Sequence, residues 1–345
     1  MKSKNQKRAN LKDVAKSART SVATVSRVLN NSGYYSNNIS IRVQKSAEKL
    51  NYQPNLHAKS LRQRQSHTIG LLIPNLLNAY YTALADDVSQ LLNTHGYQLL
   101  LSSTRDNPVV EKNTFRQLIG HNVDGLIWVP TAADKKSIDM LINRRIPTVS
   151  IVRKVEGNRL PTIVFEDFAA AQAATKCLLQ LGHTRIGIIG GDTAYSSNNE
   201  RLQGYLKALE QASVQVDQAL IKMGSVNDEK GTDSANDLLQ MKQPPTAIFV
   251  AGNALMSGVM KSLRQYDVNI PEEVSLICFD DLEWFLFSEP PISAIAINHA
   301  RLAEAAVDLL LNRIQNPTER DNPPQFMQIS FELMLRGSTA PPRRG

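Results

Sequence analysis

Two different periodicities divide the chain. Up to about residue 50, apolar positions recur at helical spacing. In "NLKDVAKSA", Leu11, Val14, Ala15 and Ala18 form one stripe, Asn10 can cap its start and Asp13 sits in the first turn. In "TSVATVSRVLN", Ser21 is the candidate cap, and Val25, Val28 and Leu29 lie at i, i+3 and i+4. In "SNNISIRVQKSAEKLNY", Ile39, Val43, Ala47 and Leu50 point one way behind Ser36, a third candidate cap. About three residues join the first two helices, which is the helix-turn-helix layout, with Ala15 as the small residue at the crossing and Val25 as the inner apolar residue of the second helix.

From Thr68 the pattern changes. Short apolar runs bounded by turn residues ("TIGLLIP", "YQLLLSS", "VDGLIWVP", "IPTVSIV", "RIGIIGG", "TAIFVAG", "VSLICFD") alternate with amphipathic stretches at 80–95, 167–181, 199–213 and 300–315. This alternation predicts α/β units with a parallel sheet covered on both faces. Two sets are visible, 68–165 and 166–297, and a final helix and strand are expected to cross back. The expected fold is an all-α helix-turn-helix head and an α/β body of two parallel-sheet lobes facing each other across a cleft.

Length and composition are those of an ordinary globular chain of two or three domains. No apolar run is long enough to span a membrane, and no apolar segment follows the basic start "MKSKNQKRANLKDV" as a secretory signal requires. Cys177 and Cys278 lack metal-ligand spacing and read as free thiols in a reducing cytoplasm. Charge changes the picture once divided. Residues 1–65 hold 14 Lys and Arg against two acids, Asp13 and Glu48, whereas the rest holds 25 against 30. A head of net +12 on a body of net −5 is the footprint of a nucleic-acid module joined to something else.

The outer face of the second helix fits that footprint. Opposite its apolar stripe lie Val22, Ala23, Ser26 and Arg27, short side chains around one long cation, suited to close approach to another surface. "LKDVAKSARTSVATVSRVLNNS" followed by "LNYQPNLHAKSLR" resembles the head of the lac/gal repressor family of bacterial transcription regulators, and the likeness runs through almost the whole chain. The resemblance implies that the second helix enters the major groove of a near-palindromic operator in double-stranded DNA. Val22 and Ala23 would touch base edges, and Arg27 would reach a guanine. Ser21, Thr24, Ser26, Asn30 and Ser36 would hold phosphates. It further implies that "PNLHAKSLRQRQS" is a hinge helix, with Leu61 as a minor-groove wedge between Lys59 and Arg62. Arg19 departs from the family, where Gly is common at that turn, so a shifted turn or an added phosphate contact is expected. The resulting division is 1–53 for the head, 54–66 for the hinge and 67–340 for the effector-binding and dimerisation domain. Within that domain one lobe takes 67–165 and 298–328, and the other takes 166–297 and 329–340.

Ligands of such sheets sit beyond the carboxyl ends of strands. The residues there are Asn78, Tyr80 and Tyr81, then Tyr195, Ser197 and Arg201, then Asn253, and finally Asp280 with Asp281. An Arg fork and a carboxylate suit the vicinal hydroxyls of a neutral polyol, with aromatics available to stack on a ring. In the family, the Arg of "NNERLQGY" and the Asp of "ICFDD" contact the effector. Departures bear on which effector. Glu166-Asp167 stands where many members have Asp-Asn, Gly252-Asn253 where many have Asn-Asp or Gly-Asp, and Val226 where some place a stacking aromatic. Trp284 is a candidate stacking partner in its stead.

No catalytic set is legible. The six histidines are scattered, "GIIGGD" lacks the dinucleotide order, and no metal or cofactor is implied. The expectation is a repressor of a carbohydrate-utilisation operon, released from DNA by a sugar or sugar derivative, and a homodimer, since no heptad-bearing helix follows the last strand. The alternatives are a purine-, nucleoside- or corepressor-responsive member of the family and, from another class, a soluble sugar-binding protein. The basic head argues against the last.

Overall fold

The computed structural model describes residues 9–52, 65–131, 135–155, 157, 159–320 and 322–343, which cluster into two units, one up to Ser66 and one from His67. In the first unit α1 (Leu11–Ser17), α2 (Val22–Leu29) and α3 (Asn37–Lys49) enclose Val14, Ala15, Ala18, Val25, Val28, Val43 and Ala47. Asn10 closes a capping box with Asp13, and Ser21 Oγ accepts the Thr24 N–H at 3.0 Å. Each helix ends in a left-handed residue with reversed backbone bonds, at Arg19, Asn31 and Asn51. Asn tolerates that conformation, but Arg is strained by it. At φ 51° Arg19 adopts the conformation that glycine favours, and Thr20 N–H reaches Ala15 O at 3.0 Å.

The second unit holds two sheets. In the first lobe the strands are β1 (Thr68–Ile73), β2 (Gln98–Ser103), β3 (Gly125–Trp128), β4 (Thr148–Ile151) and β5 (Thr162–Phe165). They are joined through α4 (Ala79–Thr94), α5 (Pro108–Gly120) and α6 (Lys135–Asn143). The second lobe repeats the plan with β6 (Ile186–Gly191), β7 (Ile221–Gly224), β8 (Ala247–Val250), β9 (Ser275–Phe279) and β10 (Ser293–Ile297). Its helices are α7 (Asp167–Gln180), α8 (Ser196–Gln211), α9 (Asp228–Leu239) and α10 (Asn253–Gln265). Then α11 (His299–Gln315) returns to the first lobe, and two short strands follow where one was expected, β11 (Phe326–Ile329) and β12 (Phe331–Met334). The sheet orders are β11-β5-β4-β3-β1-β2 and β12-β10-β9-β8-β6-β7, all parallel except β12 against β10. Apart from the last strand of each, both follow one doubly wound order, whose ligand position lies outside the strand carboxyl ends. The sequence expectation of an all-α head and a two-lobed α/β body is met. Helix α8 starts three residues before the expected 199, because Ser196, Ser197 and Asn198 read locally as turn formers.

Close helix pairs set the second lobe. A Cβ on Gly204 of α8 meets Phe168 O of α7 at 2.3 Å, and one on Gly258 of α10 meets Asp228 O of α9 at 2.0 Å. The partner atoms are backbone, so neither contact relaxes by rotating a side chain. Gly204→Ala is expected to cost about 1–3 kcal/mol in urea unfolding of the whole chain. Gly120, a helical position with nothing near its Cβ, is the control: Gly120→Ala should raise stability by up to about 1 kcal/mol. Equal effects of the two substitutions would contradict the close packing of α7 on α8.

Candidate functional site

The outer face of α2 carries Val22 (41% exposed), Ala23 and Arg27 to solvent, while Val25 and Val28 are buried on the other side. Arg27 enters no ion pair among the described residues. The hydroxyl groups named from the sequence have separate fates. Ser21 and Thr24 bond to each other at 2.8 Å across the helix start. Asn30 Nδ2 donates to Ser26 O at 2.8 Å and reaches Ser26 Oγ at 3.3 Å, so both side chains help to close the helix end. Ser36 occupies the cap position of α3 without a capping side-chain bond. Lys59, Leu61 and Arg62 lie outside the described residues.

In the body, the strand ends of both lobes meet across a cleft enclosing about 690 Å³ of space free of protein atoms, open mouth included. Asn78, Tyr80, Tyr81, Ser197, Arg201, Asn253 and Asp280 all line it. Tyr195 does not line it; its ring lies 3.8 Å from the Arg153 guanidinium at one side. Trp284 is absent from the lining and packs edge-on against Phe285. Val226 does line the cleft, so the expected replacement of an aromatic by Val226 stands there without Trp284 taking its place.

Arg201 organises the second-lobe wall. Its Nε donates to Asp167 Oδ1 at 2.7 Å and its Nη1 to Ala251 O at 2.9 Å, and the guanidinium carbon stands 3.4 Å above the Phe279 ring. Helix α8 holds it one turn before Gly204, whose close approach brings α7 and Asp167 within reach. Burial works to lower the Arg201 pKa, but Asp167 and Asp280 outweigh it, so the charge is secure. Burial pushes the Asp167 carboxyl up to about 6 against the pull of Arg201. Burial also raises Asp280, offset by Arg201 and by the Asn253 backbone N–H.

Sequence reasoning missed the Arg153 side of the first-lobe wall. Arg153 is buried and clamps Asp106 with two bonds, 2.5 Å from Nη1 to Oδ1 and 3.3 Å from Nη2 to Oδ2, and donates to Pro130 O at 3.0 Å. It is aimed by Val152, at φ 67°, where Arg153 N–H closes a γ-turn onto Ile151 O at 2.7 Å. A β-branched residue rarely takes that conformation, and the strain sits beside the cleft. Next along, Lys154 N–H donates to Ser196 Oγ at 2.7 Å and Lys154 Nζ pairs with Glu200, tying the first lobe to the start of α8. Only "VRK" after a strand could have signalled this wall, and no local pattern announces a left-handed Val.

Three buried side-chain atoms of the lining find no hydrogen-bond partner among the described residues: Tyr80 OH, Asn253 Nδ2 and Asp280 Oδ1. They are a hydroxyl, a donor and an acceptor, and Asp280 is further strained at φ 70°. Among the described residues no cluster of His, Cys, Asp and Glu could hold a metal ion, and no helix is long and apolar enough to cross a membrane.

Comparison with known proteins finds matches to both units. The family described as "Bacterial regulatory proteins, lacI family" matches residues 10–55, and a "Periplasmic binding protein-like domain" matches 175–339. The chain is similar to the ribose operon repressor of Escherichia coli, 32% identical over 334 residues, covering 96% of this chain and 99% of that protein. It is similar to the transcriptional repressor PurR of Haemophilus influenzae, 30% identical over 332 residues, covering 96% and 98%. In fold it matches the lac repressor dimer bound to operator and the anti-inducer ONPF, with TM-score 0.85 and 23% identity over 97% of this chain and all of that one.

The unpartnered hydroxyl makes a direct prediction. Tyr80→Phe removes a buried group that gains no bond among the described residues, so it should leave stability unchanged or raise it by about 1 kcal/mol. Tyr205→Phe removes a hydroxyl that donates to Ile186 O at 2.7 Å and should cost about 1–2 kcal/mol. Thermal unfolding of both variants checks the contrast. A Tyr80→Phe loss as large as that of Tyr205→Phe would mean that the hydroxyl is already engaged.

Proposed function

The chain belongs to the lacI family of bacterial regulatory proteins and is a sequence-specific DNA-binding transcriptional regulator, not an enzyme; from that premise we propose that it is a homodimeric repressor of a carbohydrate-utilisation operon, released from its operator by a sugar or sugar derivative. The observation that carries the effector reading is the trio of unpartnered buried atoms, Tyr80 OH, Asn253 Nδ2 and Asp280 Oδ1. A ligand that both donates and accepts at neighbouring positions answers all three, and vicinal hydroxyls do so. The likeness to the ribose operon repressor supports a sugar. The likeness to PurR supports the second reading, a purine-type ligand.

Residues 1–53 form the DNA-reading head, 54–66 the hinge with Lys59, Leu61 and Arg62 at the minor groove, and 67–340 the effector and dimer domain. Val22, Ala23 and Arg27 read base edges, while Ser21, Thr24, Ser26, Asn30 and Ser36 set the register on phosphates. In the cleft Arg201 and Asp280 anchor the ligand, with Asn78, Tyr80, Tyr81, Ser197 and Asn253 around it and Tyr195 at the edge. The repressor works on operator DNA in the cytoplasm. Ligand binding favours a state in which the lobes close and the paired hinges separate. A tenfold loss of operator affinity needs about 1.4 kcal/mol of preference for that state.

Arg27→Ala should cost about 1–3 kcal/mol per half-site and relax preference at one G·C pair, measured by binding to a randomised operator library. An unchanged sequence preference would remove α2 from the groove. Asp280→Ala should abolish the sugar response while operator affinity stays near wild type. Loss of DNA binding with ligand affinity retained would reverse the assignment of the two sites.

A further inference from the structure

The basic side chains that line the cleft are already paired with acids. Arg201 is paired with Asp167, Arg153 with Asp106, Lys154 with Glu200, and His299 Nδ1 with Asp87 Oδ2 at 2.6 Å. Asp280, only 9% exposed, has no such base among the described residues, and its Oδ1 faces no donor. The arrangement turns on Asp167, fully buried at the start of α7. With a neutral side chain there, Arg201 and Asp280 would balance each other, and a ligand carboxylate or phosphate could approach the guanidinium without meeting net negative charge. With Asp167 present, that charge is already met at 2.7 Å, and the cleft retains the excess negative charge of Asp280.

We propose that Asp167 is a specificity-determining residue that restricts the cleft to uncharged polyols and excludes sugar phosphates and sugar acids. The inference rests on the reading of the cleft as the effector site and narrows the class of effector. Asp167 acts without touching the ligand: it consumes the one cation that the lining offers next to Asp280. An anion entering the cleft would be desolvated beside Asp280 with no free base within the lining, and like charges held together in this way are rejected strongly. A neutral sugar meets no such opposition. Its hydroxyls donate to Asp280 Oδ1 and accept from Asn253 Nδ2, the two unpartnered groups. Because the Asp167 carboxyl is held up to about 6, it is ionised at pH 7.5, where the selectivity should be fully expressed.

The test is calorimetric titration of the full-length protein at pH 7.5 with matched probes: neutral pentoses, hexoses and nucleosides, each beside its phosphate, and hexoses beside their uronates. The best neutral probe should bind about 100-fold or more tightly than its charged counterpart. In Asp167→Asn, which keeps an acceptor for Arg201 Nε, the gap should narrow by about tenfold. If that variant does not fold, Asp167→Ser removes the same charge. A phosphate or uronate that binds the wild type more tightly than its neutral parent would overturn the proposal. So would a gap that survives removal of the Asp167 charge, or a panel in which no neutral probe binds. Failure of the sugar reading looks different: a neutral nucleoside alone would then bind, with its phosphate still excluded. A preferred sugar phosphate would have the opposite meaning, leaving the sugar reading intact and removing the charge rule.

Discussion

A buried guanidinium must be answered on every side, and the answer for Arg201 comes from three different elements. The side chain leaves α8, meets the carboxylate at the start of α7, donates to the carbonyl after β8 and lies on the aromatic that ends β9. Removing one partner of a buried pair costs about 3–5 kcal/mol, because the remaining charge stays behind uncompensated. The top of the second lobe is therefore built around one cation. Gly204 belongs to the same constraint, since any larger residue would part the helices that supply the two charges.

The first lobe answers with a parallel device. Arg153 is buried, bound to Asp106 and stacked on Tyr195, but it is placed by a strained turn rather than by a helix. Strain and unmet hydrogen bonds concentrate where the two devices face each other. Three of the seven described buried side-chain atoms without a partner line this one cleft, as do the left-handed Val152 and Asp280. Both kinds of cost persist only where the surrounding structure imposes them, and here the surroundings are two apolar sheets with their strand ends opposed.

Much of this was legible in the sequence, for reasons of range. The helical stripes of α1 to α3 and the apolar runs of the sheets are local signals, and they specify the elements that form. Asn253 and Asp280 were legible because the parallel-sheet pattern singles out residues just past a strand, and Arg201 because its stretch after β6 resembles the family's effector-contacting motif. Asp167 was visible only as a departure from a motif; its partner lies 34 residues further on, and nothing local couples the two. Arg153 and Asp106 lie 47 residues apart, and their meeting depends on a Val in a conformation that its branched side chain argues against. Trp284 illustrates the opposite error. A large aromatic after a strand invites a role in the cleft, but the short helical turn that follows Asp281 packs it against Phe285 instead.

The path of the chain between the lobes has a consequence for how the protein is made. The backbone passes from one lobe to the other three times, after β5, after β10 and between β11 and β12. Helix α11 supplies Leu302, Ala303, Ala306, Val307 and Leu310 to a core otherwise built from the first half of the body. On a ribosome the three-helix head emerges complete, with all of its core residues within a few dozen positions. The first lobe cannot follow at once. Its sheet lacks an edge strand, and its core lacks a wall, until nearly the whole message has been translated. Until α11 is made, the apolar side of β1 and β3 has only α4 to pack against. The interleaved topology thus leaves the nascent body with an incomplete core until late in synthesis, while the head is free to fold first.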